Sequence, residues 1–380
     1  MIKCSIVRGG TSKAIFIMKN ELPADPILRD KVILAIFGSP DLRQINGLGG
    51  ADITTSKLAI ISPATIPEAD VDYTFGQVSM EKPFIDYGGN CGNISSGVGP
   101  YAIDNGLVTP VESVTTVKIH LTNSGNILIA RVPVKNGKAA VEGDCVIGGV
   151  PGTGARIEMD WSRVVGPITG KLLPTGHVKD EIDVNGKKFT VSVVDVGNVV
   201  IYVNAHDLGL TGTETPAQIN ADKQVLDTVE GIRGKVCQQI GLVADWKDAR
   251  TATPYQPFLA LVTKPVSYDA YTGQHVDEKS IDLVARMYLM LSVVKAYPGT
   301  ATACTGAAAR IKGSLIWDLL SDKAKNKDIL TIGHPTGTIS VNAVAEYNEK
   351  QETILKKLSF DRTARILMDG YAYVRNSVLK

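Results

Sequence analysis

Two segments of the chain set a reactive side chain beside glycines. The first is Tyr87-Gly-Gly-Asn-Cys91-Gly-Asn-Ile-Ser-Ser. A cysteine opening a small-residue helix meets unpaired backbone N–H groups and the positive end of the helix dipole. Such a setting favours a thiolate, and it also grips a carboxylate. The alternative for Cys91 is a buried, inert thiol, the common fate of free cysteine. Asn90, Gly92 and Asn93 are the anion-binding candidates around it. The second segment is Gly49-Gly-Ala-Asp-Ile-Thr-Thr-Ser56-Lys57-Leu-Ala-Ile. A lysine entering an apolar strand either snorkels from its end or loses solvent, and a desolvated lysine becomes a usable general base. Ser56 is a candidate substrate contact beside it. A third segment, Arg8-Gly-Gly-Thr11-Ser12-Lys13, offers two hydroxyls with basic flanks, suited to carboxylate capture or to an ordinary hairpin turn.

In the second half, Ala303-Cys304-Thr305-Gly306 repeats the pattern of a cysteine opening a small-residue helix. Gly333-His334-Pro-Thr-Gly presents a histidine on a rigid turn, where solvated histidines are common. Nucleotide motifs fail. The order Gly166-Pro-Ile-Thr-Gly170-Lys171-Leu172 lacks a residue between its glycines, and the hydroxyl after the lysine, that a Walker A loop needs. Neither a dinucleotide fingerprint nor a Gly-x-Ser-x-Gly elbow is present. The five cysteines are odd in number, widely spaced and without a C-x-x-C pair, so neither a disulfide framework nor a structural zinc site is expected. What remains is a thiol, a lysine and hydroxyls: a site expected to handle an anionic molecule without cofactor or metal.

Composition supports a folded chain of two domains, or three at most. Of 380 residues 44% are hydrophobic, and 40 basic residues balance 39 acidic ones, a net charge of +1. That balance gives no bulk field for nucleic acid or an anionic membrane. The N-terminus shows no export signal and no run reaches the length of a membrane span, so the expected compartment is the cytoplasm. Glycine, at 37 residues, exceeds the usual share, which implies many turns and close backbone approaches.

The elements that must carry these groups follow from periodicity. Residues 3–7 and 14–18 read as strands around the Gly-Gly turn, 26–37 as a helix, 56–62 and 71–78 as strands, and 92–104 as a tightly packed helix. Strand patterns follow at 114–121, 127–134, 138–146, 182–184 and 189–194. Residues 151–177, rich in Gly, Pro and Thr, read as a long excursion that could cover a cleft. Beyond Val199 come a strand, helices near 217–240 and 280–291, strands near 258–262 and 339–346, and a last strand at Tyr371-Ala-Tyr-Val. Gly10-Thr-Ser-Lys-Ala-Ile-Phe-Ile and Gly197-Asn-Val-Val-Ile-Tyr-Val echo each other, as do the Cys91 and Cys304 segments. Two similar halves, each with a cysteine at a helix start, suggest a duplicated fold with one site between them.

Several long blocks in one order resemble the PrpF-type isomerases, whose known members act on 2-methylaconitate, 3-methylitaconate or 4-oxalomesaconate. The blocks are Arg8-Gly-Gly-Thr-Ser-Lys-Ala, Thr55-Ser-Lys-Leu-Ala, Cys91-Gly-Asn-Ile-Ser-Ser-Gly-Val-Gly-Pro-Tyr-Ala-Ile, Thr169-Gly-Lys-Leu-Leu-Pro-Thr-Gly, His206-Asp-Leu-Gly-Leu-x-Gly-Thr-Glu, Gly333-His-Pro-Thr-Gly and Arg362-Thr-Ala-Arg. The resemblance implies an α+β fold of two pseudo-duplicated domains like diaminopimelate epimerase. Each is a β-barrel-like sheet around a central helix, with the active site in the cleft. The expected domains are residues 1–183 plus 360–380 and residues 184–359. It also implies proton transfer by Lys57 and Cys91 with Ser12, and an assembly of two or four copies. Thr11, Ser56, Asn90, Gly92, Asn93, Cys304, Thr305, Gly306 and His334 are the candidate substrate contacts. Two departures stand out: Val294, where related sequences carry a histidine before a basic-Ala-Tyr triplet, and Val199, where they often carry proline. The expected activity is isomerisation of a small unsaturated di- or tricarboxylate. Two other readings stay open: a two-thiol racemase or epimerase using Cys91 and Cys304, and a non-catalytic carboxylate-binding protein.

Overall fold

The computed structural model describes residues 1–378, so the last two residues of the expected first domain lie outside the described residues. Contacts divide the chain into Met1–Met159 with Asp361–Lys380, and Asp160–Phe360. The first crossing therefore comes well before residue 184. Residues 160–183 join the second unit because their backbone is tied to its strand Lys187–Val196. Val165 bridges Val196, Gly166 N–H donates to Asp195 O at 2.8 Å, and Asp195 N–H donates to Leu172 O at 3.0 Å.

In the first unit, β1 (Ile2–Gly9) and β2 (Ser12–Met18) form an antiparallel hairpin with Gly9 opposite Ser12. The helix α1 (Pro26–Phe37) begins with Asp25 accepting from Leu28 N–H and ends at left-handed Gly38, start and stop signals both legible in the sequence. β3 (Lys57–Pro63) runs parallel to β2, and β4 (Val71–Val78) runs antiparallel to β3. A two-residue strand β5 (Ile85–Asp86) leads into α2 (Gly92–Asp104). β6 (Ser113–Leu121) is parallel to β4, and β7 (Asn126–Lys135) returns antiparallel beside it. The C-terminal strand Ala364–Ala372 comes back to pair with β1.

The sheet wraps α2. Every residue from Gly92 to Ile103 is buried. A Cβ on Gly97 would lie 2.9 Å from Val7 Cγ1, and one on Gly99 would lie 2.6 Å from Val132 Cγ2. Val7 is on β1 and Val132 on β7, so strands far apart in sheet order both press on the helix. Only a small-residue helix fits inside, and the burial of its apolar surroundings supplies the stabilisation.

The second unit repeats the path. Lys187–Val196 is antiparallel to Asn198–Asn204, which is parallel to Phe258–Thr263. That strand is antiparallel to Leu283–Leu289, which is parallel to Ile329–His334, itself antiparallel to Gly337–Tyr347. A short strand, Ser292–Val294, precedes a fully buried helix, Gly299–Ala308. Residues 280–291 thus hold a strand and not the expected helix: all seven residues of Leu283–Leu289 are buried, and an apolar run that is buried on both faces loses the alternation that marks a strand. The expected strand at 138–146 shrinks to Lys138–Ala139. The helical stretch near 217–240 is two helices, Pro216–Ala221 and Lys223–Gln239, divided at Asp222, whose side chain caps the second.

Candidate active site

α2 begins where the sequence reading placed it. Cys91 is the residue before its first turn, extended in backbone (φ −122°, ψ 101°), and its own side chain makes no capping hydrogen bond. Its carbonyl accepts from Ser95 N–H at 2.9 Å and Ser95 Oγ at 2.7 Å. Gly92 and Asn93 are the first residues of the helix, at its positive end, a local field that favours an anion. The turn before it is held from outside. Asn123 donates to Phe75 O at 2.9 Å and Tyr87 O at 2.8 Å, and Asn90 Nδ2 reaches Ser124 Oγ at 3.4 Å.

Lys57 opens β3, in register with Ala14 on β2 and Gln77 on β4. It does not snorkel; only 4% of it is exposed. Its Nζ lies 2.6 Å from Gln77 Oε1 and 5.3 Å from the centre of the Phe75 ring. Burial lowers its pKa below the ordinary lysine value, and negative charge at Cys91 and Asp52 acts in the opposite direction. Cys91 and Lys57 thus stand close enough for the charge of one to act on the other.

The hairpin turn supplies the third side. Ser12 is buried at the start of β2, and Thr11 Oγ1 accepts from Asn93 Nδ2 at 3.0 Å. Asn93 Oδ1 in turn accepts from Arg362 Nε at 2.9 Å. Arg362 is buried, and that burial pulls its guanidinium down to about 10. Arg8 Nη1 donates to Gly10 O, Thr363 O and Thr363 Oγ1, clasping the turn to the C-terminal strand. Thus Ser12, Thr11, Lys57, Asn90, Cys91, Gly92 and Asn93 gather in one unit, on four elements that meet around the start of α2.

Ser56 does not present its hydroxyl to that space. It is fully buried and its Oγ donates to Gln44 Oε1 at 2.7 Å, an atom that also accepts from Ala51 N–H at 2.8 Å. Its role is to tie down the loop that leads into β3.

In the second unit the expected contacts fare differently. The helix opens at Gly299, after Pro298, so Cys304, Thr305 and Gly306 lie in its middle and not at its start. Cys304 is fully buried, donates to Val194 O at 3.3 Å, and burial pushes its thiol up to about 12. Thr305 Oγ1 bonds back to Ala301 O at 2.8 Å, and a Cβ on Gly306 would meet Val341 Cγ2 at 2.9 Å. These are packing positions. Followed strand by strand, the repeat puts Pro298 where Cys91 stands and Phe258 where Lys57 stands, since Phe258 pairs with Val200 as Lys57 pairs with Ala14. His334 is not on an exposed turn; it is buried at the end of Ile329–His334, its ring 6.4 Å from that of Tyr297.

The PrpF protein family model matches residues 1–375. The chain belongs to the PrpF family. It is 51% identical to a 3-methylitaconate isomerase of Eubacterium barkeri, covering 100% of this chain and 98% of that one. It is 36% identical to a 2-methyl-aconitate isomerase of Shewanella oneidensis, covering 98% and 96%, and 37% identical to a 4-oxalomesaconate tautomerase of Pseudomonas putida, covering 97% and 95%. A crystal structure of a methylitaconate-delta-isomerase, 51% identical, superposes with a TM-score of 0.83 over 100% of this chain and 97% of that one. A probable proline racemase from Agrobacterium radiobacter K84, 12% identical, shares the fold with a TM-score of 0.59 over 99% and 94%. The α+β epimerase-like fold expected from the sequence is the fold of this PrpF chain.

Two residues of this candidate site escaped the sequence reading. Gln77 lies on the same face of β4 as Tyr73 and Phe75, an amide in an apolar stripe, and that break in the alternation was the available signal. Arg362 stands inside one of the blocks shared with the family, yet nothing local showed that it would be buried against Asn93.

Proposed function

We propose that this chain is an isomerase of small unsaturated di- or tricarboxylates that moves a proton between allylic positions, with Lys57 and Cys91 as the transferring pair. The observation that carries the reading is a buried lysine of lowered pKa on which the charge of a cysteine at a helix N-terminus acts. An allylic C–H next to a conjugated carboxylate is weakly acidic, and its removal spreads negative charge into a dienolate. The first N–H groups of α2, with the Thr11 and Ser12 hydroxyls, suit that charge. Lys57 in its neutral form takes a proton, and Cys91 returns one at the other carbon, shifting the double bond or exchanging its geometry. Which group acts as base depends on the direction of reaction. The 51% identity to a 3-methylitaconate isomerase makes methylitaconate the first substrate to try. A cytoplasmic setting suits a free thiol, and a homo-oligomer is part of the same reading.

The two-thiol reading loses support from Cys304 itself, which sits mid-helix with its thiol spent on a carbonyl. The decisive measurement is NMR in D₂O with methylitaconate, methylaconitate, oxalomesaconate and aconitate. Wild type should incorporate deuterium and shift the double bond of one of them. Lys57→Ala and Cys91→Ala should each lose at least about a hundredfold in rate. Exchange at the wild-type rate in either variant removes that residue from the mechanism, and Cys304→Ser should keep most of the activity.

A further inference from the structure

We infer that Gln77 is a positioning residue for the proton transfer, an amide whose orientation is locked so that it offers Lys57 an uncharged acceptor. The inference rests on the reading of Lys57 as a proton-transfer group.

Gln77 is 1% exposed, on β4 directly across from Lys57. Both hydrogens of its amide nitrogen are spent on backbone carbonyls of the loop entering β3: Nε2 donates to Ile53 O at 3.2 Å and Ser56 O at 3.1 Å. An amide nitrogen donates and an amide oxygen only accepts, so two carbonyls on one side decide which way the group faces. Turned over, the amide would set its oxygen against both carbonyls and lose both of those hydrogen bonds. Oε1 must therefore point at Lys57 Nζ, 2.6 Å away.

The carbonyls themselves are fixed. Ser56 O also accepts from Val78 N–H at 3.1 Å, and the Ser56 hydroxyl is anchored on Gln44. The loop is joined to the hairpin as well, through Lys13 N–H and Thr54 O at 2.9 Å. Gln77 thus transmits the position of a braced loop to the lysine nitrogen. A neutral amine that donates one hydrogen to Oε1 has the directions of its remaining hydrogen and lone pair fixed by that bond.

The choice of amide over carboxylate has an electrostatic consequence. A glutamate here would set a negative charge at salt-bridge distance from Lys57 and favour the ammonium, which cannot accept a proton. It would also turn an acceptor toward Ile53 O and Ser56 O, so the pair of carbonyls selects the neutral group. Cys91 and Asp52 act on Lys57 electrostatically, and Asp86 stands on β5 in register with Gln77.

The test uses the full chain with lysine labelled at ¹³Cε. The Lys57 signal, assigned by its loss in Lys57→Met, is titrated in wild type and in Gln77→Glu, and no substrate is needed. The midpoint in Gln77→Glu should lie at least about one pH unit above wild type. In parallel, Gln77→Met, which is neutral and of similar size but cannot accept, should lower kcat about tenfold or more while KM stays within about twofold, the signature of a misplaced base. A Lys57 midpoint in Gln77→Glu that matches wild type overturns the inference, as does wild-type kcat in Gln77→Met. Failure of the wild-type chain to exchange protons with any carboxylate sinks the isomerase reading instead, and the titration still decides what Gln77 does to Lys57.

Discussion

Gly10 shows how little freedom the site leaves to a single residue. Its φ is +49°, and a Cβ there would lie 2.3 Å from Asn93 Oδ1 and 2.9 Å from Arg362 Cδ. The oxygen it would strike is the one that receives Arg362 Nε and so orients the amide that donates to Thr11. Gly10→Ala is therefore expected to cost at least about 1–3 kcal/mol from backbone strain, read as a lower urea midpoint. It should also raise KM for the carboxylate substrate, because the Asn93–Thr11 link must open to make room. An unchanged midpoint would mean that the turn relaxes without disturbing Asn93. The same residue scale explains why Lys57 and Cys91 were legible and Gln77 was not. Lysine beside an apolar run and cysteine beside glycines are conspicuous by type, whereas a glutamine matters only through the two carbonyls it faces, residues 53 and 56, more than twenty positions away along the chain.

Among elements, the loop from Val165 to Gly176 is latched by one carboxylate. Asp195 Oδ2 accepts from Ile168 N–H at 3.0 Å, Thr169 N–H at 2.7 Å and Thr169 Oγ1 at 2.8 Å, while Oδ1 has no hydrogen-bond partner among the described residues. Burial raises this carboxyl to about 6, against the lowering effect of those donors. The unfolded value is about 3.9, so between about pH 4 and pH 6 the folded chain holds more protons than the unfolded one. Stability then falls as pH rises through that window, by about 3 kcal/mol in all. Urea titrations of Asp195→Asn should lack this slope; an identical pH dependence in the variant would show that Asp195 does not contribute it. Elements also account for the misplaced second cysteine. Cys91 and Cys304 each sit in a run of small residues, but the first precedes its helix and the second is carried inside by the five residues from Gly299 to Ala303.

At the scale of the whole molecule, net charge and local charge part company. The chain carries +1 overall, so no long-range field gathers anions. On the proposed reading, attraction comes from the start of α2 and from buried groups that bulk ions cannot reach. Accordingly kcat/KM for a dianionic substrate should change by less than about tenfold between low and physiological salt. A steeper fall would point to surface charges that guide the substrate. Among the described residues no helix is long and apolar enough to cross a membrane. The two units follow one strand path, yet only the first carries lysine and cysteine at the matching places, where the second has Phe258 and Pro298. The second unit thus has the same strand path without the ionisable pair.

The sequence by itself determined the local features: the glycine turns, the small-residue helix with Cys91 before it, the capped helix α1, the lysine at a strand start, and the long blocks shared with the PrpF family. Each depends on neighbours within a few positions, where backbone sterics and hydrogen-bond inventory leave few choices. Tertiary structure alone decided that Lys57 loses its solvent, that Gln77 faces it with an oxygen, that Arg362 fixes Asn93, that Ser56 is anchored on Gln44, and that Cys304 is interior. Those facts depend on register between strands distant in sequence and on which side chains share a desolvated space, and no local pattern encodes either.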